Sequence, residues 1–359
     1  MLAKILMKGN EAVAEGALRA GCRFYAGYPI TPQNEILEYM AKHMPKHGGA
    51  VMQAESEIAG VSMLWGASAA GARAMTSSSG PGFSLMQEGV AYIASYELPA
   101  VFVNIMRYGV GGGDITQGQD SYLQAVKGGG NGDYRLIVLA PNSVTECAAF
   151  TCEAFELGET YQNPVLILAD GAIGQMVESC ILPEPVTYDI DRHSWAVKGR
   201  PPGEEKRKAT NKNWYIGDRA WEQKTREKLL RMKHELQRWE SYNTEDAELV
   251  LAAYGVSSRV CKQAVREGRA KGLKLGLIRA ISLWPYPQSA FRMLGPQVRG
   301  LLSVEMSIMP QMAQDLYTSV EHKLPVYGHC TAIDVPVAAD IVKRAEEILA
   351  GIAEPEEVL

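Results

Sequence analysis

The strongest constraint on the fold is an alternation of segments. From residue 10 to about residue 170, helix-periodic stretches and short apolar runs follow one another with brief connections. EAVAEGALRAG has helical spacing and ends at Gly21, RFYAGYP is strand-like, and PQNEILEYMAKHM is helical with Pro32 where a first-turn proline is tolerated. AVMQAE then reads as a strand, SEIAGVSMLWGASAAG as a helix rich in small residues, and ARAMTSSS as a strand. A helix from Pro81, the strands PAVFVNIM and LIVLAP, a helix around 143–158 and the strand PVLILAD complete the series. Strands alternating with helices predict an α/β fold, a mainly parallel sheet with helices on both faces. PAVFVNIM and PVLILAD are apolar almost throughout, as strands covered on both faces are.

A second α/β block starts near residue 246, with strands AELVLAAYG, LKLGLIRA and RGLLSVEM, a helix SSRVCKQAVREGRAKG and helices around 310–321 and 335–350. Between the blocks, residues 190–245 are polar and turn-rich, then charged and helical. Leu229, Met232, Leu236 and Trp239 fall on one stripe, which suits a connector helix packed on a domain surface. A chain of 359 residues has length enough for two domains. The expected organisation is a first domain over 1–189, a polar linker with an amphipathic helix over 190–245, and a compact second domain over 246–359.

Composition narrows the function classes. Lys plus Arg is 36 against 41 Asp plus Glu, a net charge of −5, which offers no basic footprint for nucleic acid or anionic lipid. No uncharged apolar run is long enough to cross a bilayer, and the start MLAKILMKGN is broken by Lys4 and Lys8, too short for a signal peptide's apolar core. The expectation is a soluble, cytoplasmic protein. Cysteines at 22, 147, 152, 180, 261 and 330 form no CxxC pair and suit a reducing compartment, and the histidines form no ligand spacing, so no metal site is expected.

Ligands of an open parallel sheet bind beyond the carboxyl ends of its strands, so the strand-to-helix turns carry the chemistry. Those turns are YPITP at 28–32, QAESE at 53–57, TSSSGPG at 76–82 and RYGVGGGDIT at 107–116. The usual phosphate fingerprints fail: GPGFSL has Leu85, and GVGGGD has Asp114, where a third glycine belongs. GxxxxGK[ST], GxSxG, HExxH and EF-hand patterns are absent as well. Glu55 reads in two ways. It could stabilise the first turn of the next helix, as Ser56 and Glu57 also could, or it could aim into the crevice and hold a cofactor's basic nitrogen. Arg107 ends a buried strand, and its planar fork suits a substrate carboxylate, although an ordinary surface arginine is the commoner reading. Thr31 and Thr116 each offer a hydroxyl.

Taken together the turns say more. In this order and spacing, YPITP, QAESEIAG, TSSSGPGFSLMQEG and ELPAVFVNIMRYG resemble the α-type subunit of the 2-oxoacid:ferredoxin oxidoreductases. LIRAISLWPYP and LLSVEMSIMPQM are similar to that family's transketolase C-terminal-like domain, so the likeness covers nearly everything outside 190–245. RYGVGGGDITQGQDSY looks closest to the branched-chain, 2-oxoisovalerate type, whereas many relatives carry Pro and Ser after the RxG.

The resemblance implies two doubly wound domains of the thiamine-diphosphate-binding and transketolase type, the first being the pyrimidine-side domain. It implies thiamine diphosphate shared with a diphosphate-binding β-type subunit, and γ-type and ferredoxin-like δ-type partners, with Mg²⁺ and iron–sulfur clusters on partners only. The GDG and distant Asn of the diphosphate side do not occur here. Carried over residue by residue, Glu55 is the catalytic and cofactor-binding acid that hydrogen-bonds the aminopyrimidine ring nitrogen. Pro29 and Thr31 join it at the cofactor, while Thr31, Arg107 and Thr116 contact the substrate. The implied reaction is oxidative decarboxylation of a 2-oxoacid with coenzyme A, giving acyl-CoA, CO₂ and reduced ferredoxin. 2-Oxoglutarate is the alternative substrate, a non-catalytic scaffold paralogue the alternative role, and another thiamine enzyme, such as a transketolase-like one, a further rival.

Overall fold

The computed structural model describes residues 4–188 and 219–356, with 196, 197, 199, 202 and 203 between them. Of the polar linker expected over 190–245, most residues up to 218 therefore lie outside the described residues. The strands are β1 Lys4–Lys8, β2 Phe24–Gly27, β3 Ala50–Gln53, β4 Ala74–Ser78, β5 Val101–Met106, β6 Ile137–Leu139, β7 Val165–Asp170 and β8 Val177–Ile181, then β9 Trp239–Tyr242, β10 Leu249–Ala253, β11 Leu275–Ala280, β12 Ser282–Trp284, β13 Gly300–Glu305 and β14 Val326–Cys330.

Seven strands make one sheet in the order β12-β6-β7-β5-β4-β2-β3. All its pairs are parallel except β12 with β6. β5 and β7 pair along their whole length in the middle and are buried at every residue, the condition under which VFVNIM and VLILAD need almost no polar face. Five strands make a second sheet, β14-β13-β10-β11-β9, parallel except for β9. β1 and β8 form a separate antiparallel ribbon.

Two features depart from the sequence reading. The amphipathic helix runs Arg219–Glu235, so Trp239 is not on its stripe; it opens β9, which pairs with β11. The Arg238 carbonyl accepts from the N–H groups of Ile281 (3.0 Å) and Ser282 (3.1 Å), and this pairing replaces another helical turn. Met232 is buried, and Leu229 and Leu236 pack half-buried beside it, so the rest of the stripe behaves as its spacing indicates. The other departure is β12, which leaves the second block to complete the edge of the first sheet.

The two sheets share a core. Phe83, Phe102, Tyr122 and Leu166 pack with Tyr254, Leu283, Leu301 and Met312 in one buried cluster between them. The helices Gly9–Arg19 and Val144–Tyr161 cover the other face of the first sheet, and Gly255–Ala270 and Ala338–Leu349 cover the outer face of the second.

Strand order fixes where a ligand can enter. From β2 the chain moves outward to β3 and then crosses back to β4 on β2's other side. That reversal leaves a crevice beyond the carboxyl ends of β2 and β4. Helix starts face it: Ser56 Oγ accepts from Ala59 N at 3.2 Å and so begins the helix Glu57–Ala69 immediately after β3.

Candidate active site

The turn after β2 stands on a relay of buried hydrogen bonds. Tyr25 Oη donates to Ser77 Oγ (2.6 Å), Ser77 Oγ donates to Gln33 Oε1 (2.5 Å), and Gln33 Nε2 donates to the Tyr28 carbonyl (3.2 Å). Burial pushes the Tyr25 phenol upward, so its donor proton stays in place. Asn10 Nδ2 and Gln175 Nε2 both reach the Pro32 carbonyl at 2.7 Å. The turn is therefore fixed from below, and the side chains of Pro29 and Thr31 are exposed above it.

Two carboxylates flank Ser56 and differ sharply. Glu55 is exposed, and among the described residues it makes no hydrogen bond or ion pair. Glu57 is only 5% exposed. Its Oε1 accepts from Ser78 Oγ at 3.4 Å, while its Oε2 has no partner among the described residues. Position 82 has to be glycine for this arrangement: a Cβ there would lie 2.2 Å from both Glu57 Oε1 and Ser78 Oγ. Glu57 is thus an anchored acid with one oxygen held and the other unused.

Arg107 follows β5 and is half-buried. Its Nη1 donates to the Thr31 carbonyl (3.0 Å) and its Nη2 to the Gly112 carbonyl (2.5 Å), tying the turn after β2 to the loop after β5. Among the described residues, these two of the guanidinium's five donors are engaged and three remain, including a buried Nε with no partner. Arg107 also bridges to Gln117, and Tyr108 N donates to the Thr116 carbonyl at 3.0 Å, which brings Thr116 back beside the strand end. Thr116 Oγ1 is buried and has no partner among the described residues. At the loop's root Asp120 Oδ2 accepts from Gly109 N at 2.6 Å, and burial still moves its carboxyl upward.

The structure gathers Thr31, Arg107 and Thr116 at one edge and puts Pro29 beside them. It leaves Glu55 on that edge without an anchor. It also adds polar groups that the sequence reading passed over. Ser79 Oγ and both amide atoms of Asn104 are fully buried and have no hydrogen-bond partner among the described residues. A buried polar atom without a partner costs on the order of 1–3 kcal/mol, and Ser79, Asn104, Arg107 and Thr116 each carry such an atom. Ser79 sits inside the uninformative run TSSS, and Asn104 inside an otherwise apolar strand. Around the same edge Met52, Ile58 and Leu85 are 46%, 54% and 52% exposed, an apolar rim.

Residues 15–244 match the family model described as pyruvate flavodoxin/ferredoxin oxidoreductase, thiamine diphosphate-binding, and residues 247–339 match pyruvate:ferredoxin oxidoreductase core domain II. The ketoisovalerate oxidoreductase subunit VorB of Methanothermobacter marburgensis is 47% identical over 318 residues, covering 88% of this chain and 89% of that one. The 2-oxoglutarate synthase subunit KorA of Methanocaldococcus jannaschii is 40% identical over 313 residues, with 80% and 85% covered. A solved 2-oxoglutarate:ferredoxin oxidoreductase from Magnetococcus marinus, with 2-oxoglutarate, coenzyme A and succinyl-CoA bound, superposes with a TM-score of 0.85 at 27% identity. That match covers 96% of this chain, which spans 65% of that one. A split-gene transketolase shares the fold at a TM-score of 0.58 and 14% identity.

Proposed function

The chain belongs to the pyruvate flavodoxin/ferredoxin oxidoreductase family, and from that premise we propose that it is the pyrimidine-side subunit of a 2-oxoacid:ferredoxin oxidoreductase acting on a branched-chain 2-oxoacid. The single observation that carries the reading is the buried acid at the sheet's reversal point, Glu57, whose Oε1 meets Ser78 Oγ and whose Oε2 has no partner among the described residues.

The assignment of the cofactor's acid moves from Glu55 to Glu57. A carboxylate that must hold a ring nitrogen needs a fixed direction and a dry setting, because a hydrogen bond is stronger where water is excluded. Glu57 is buried and packed against Ser78 and Gly82, which limit where its carboxylate can point, whereas Glu55 is exposed. Burial and unmet bonding capacity are what thiamine diphosphate requires, so the residues fit it. When bound, that cofactor supplies the nucleophilic carbon and the electron sink for loss of CO₂. Glu57 would hold the pyrimidine through Oε2, with Pro29 and Thr31 bounding it. Arg107 would offer its remaining donors to the substrate carboxylate, and Thr116 Oγ1 would add a hydrogen bond.

The branched-chain substrate is favoured by chemistry as well as by likeness. Between residues 107 and 118 the only cation is Arg107, and the exposed side chains Val110 and Ile115 are apolar. One cation suits one carboxylate, and 2-oxoglutarate has two. The relatives above are themselves subunits of larger assemblies, and the apolar rim of Met52, Ile58 and Leu85 suits a covering subunit. We assign the diphosphate side with its Mg²⁺, the iron–sulfur clusters and the docking of ferredoxin to β-, γ- and δ-type partners.

The test is coenzyme-A-dependent reduction of a viologen by the chain co-purified with those partners. The reading expects turnover with 2-oxoisovalerate and a lower kcat/KM with 2-oxoglutarate. Turnover without coenzyme A would favour another class of thiamine enzyme, and a complex that turns over equally well without this chain would make it a scaffold.

A further inference from the structure

Gln119 lies three residues beyond Thr116 on the same loop and is fully buried. Its amide fills every bonding position it has. Oε1 accepts from Ser257 Oγ (3.1 Å) and Met306 N (3.0 Å), and Nε2 donates to the Tyr254 carbonyl (3.2 Å) and Asp170 Oδ2 (3.4 Å). The backbone is engaged too: its N–H donates to the Met306 carbonyl (2.6 Å), and its carbonyl accepts from Tyr254 Oη (3.2 Å). Tyr254 follows β10, Met306 follows β13, and Ser257 is in the first turn of the helix Gly255–Ala270. Most of these partners therefore belong to the second sheet.

The fold is shaped around this contact. Gly255 has a φ of +54°, and a Cβ there would lie 2.2 Å from Asp170 Oδ2 and 2.9 Å from Gln119 Nε2, so no larger residue fits. Neighbouring contacts add to it, with Gln117 Nε2 donating to the Ile333 carbonyl (2.9 Å) and Gln311 Nε2 to the Asp120 carbonyl (2.9 Å). The loop's far side is open, with Val110 90% exposed. Rigidity has to come from the root, and a fully satisfied buried network provides it.

We propose that Gln119 is a positioning residue through which the second sheet holds the 107–118 loop and thereby sets where Arg107 and Thr116 meet the 2-oxoacid. The inference rests on the reading that those two residues face the substrate. It gives the second sheet a part in substrate selection although none of its side chains is assigned to the reacting atoms.

Gln119→Met, close in length and unable to make the four amide bonds, is the test, with Arg107→Met alongside. In the isolated chain, hydrogen exchange at amides 108–116 should speed up about tenfold while amides of β4 and β5 keep their rates. In the reconstituted complex, KM for 2-oxoisovalerate should rise about tenfold, with kcat within about twofold and thiamine diphosphate affinity unchanged. Loop exchange at the wild-type rate overturns the proposal. So does an unchanged KM in Gln119→Met while Arg107→Met raises it. A wild-type KM in Arg107→Met overturns the reading of the substrate site and the proposal with it. If Gln119→Met does not fold, Tyr254→Phe removes only the hydroxyl bond to the Gln119 carbonyl; the same signs at about threefold support the proposal, and wild-type exchange and KM overturn it.

Discussion

Replacing Glu57 by glutamine separates the two acids that flank Ser56. The change keeps shape and size, so the close fit under Gly82 survives, and among the described residues the bond put at risk is the 3.4 Å contact from Ser78 Oγ. A bond that long contributes at most a few tenths of a kcal/mol, and Tm should move by less than about 2 °C. Function should respond very differently. Glutamine carries no charge and exchanges no proton, so it cannot stabilise a protonated ring nitrogen as a carboxylate does. Loss of one fixed contact of this kind in a dry site costs about 3–4 kcal/mol, or roughly 10²–10³ in turnover. Glu55→Gln, at an exposed residue without a partner among the described residues, should change turnover by less than about twofold. The assay is coenzyme-A-dependent viologen reduction by the reconstituted complex, with thiamine diphosphate binding followed calorimetrically and assembly checked by size-exclusion chromatography. Near-normal turnover in Glu57→Gln together with a large loss in Glu55→Gln would refute the reasoning.

Further outcomes follow from other contacts. Gly82→Ala drives a methyl into Glu57 Oε1 and Ser78 Oγ, 2.2 Å away, so it should lower thiamine diphosphate affinity about tenfold and stability by about 1–3 kcal/mol, read by calorimetry and by denaturant unfolding. Arg107→Met removes the bonds to the Thr31 and Gly112 carbonyls along with the donors for the substrate, and should raise KM for the 2-oxoacid about a hundredfold in steady-state assays. Glu305, buried between the sheets, has its carboxyl pushed up to about 7 by burial, against the hydrogen bonds from Ser303 Oγ and Met312 N. An acid that holds its proton more tightly when folded loses stability as pH rises from its unfolded value of 4.5 to its folded one, about 3 kcal/mol in all, with no further loss above. Melting curves from about pH 4.5 to pH 8 should therefore fall more steeply for the wild type than for Glu305→Gln.

The fold was legible where burial was extreme. VFVNIM and VLILAD announce themselves because strands paired on both sides have no wet face, and Ser56 and Ser143 announce helix starts because a hydroxyl there meets free N–H groups, Ala59 N and Glu146 N. β9 and β12 were not legible. WESY continues a helical stripe in one dimension, and only pairing with β11 makes it a strand; SLW is too short to carry a period at all. The site divides in the same way. The turns that hold Thr31, Arg107 and Thr116 could be located from their glycines and prolines. In QAESE, however, two acids look alike, and what distinguishes them is Ser78 and the gap at Gly82, more than twenty residues away. Arg107 was legible as a fork, but its two carbonyl partners were not, and Gln119 shows nothing in sequence of the strand ends it touches.

The central claim is tested most directly by a structure of the reconstituted complex with thiamine diphosphate bound. The account predicts a Glu57 carboxylate oxygen within hydrogen-bond distance of the pyrimidine ring nitrogen, below about 3.2 Å, with Glu55 directed elsewhere. A ring nitrogen paired to Glu55, with Glu57 bound only to Ser78 and its own helix, would contradict it.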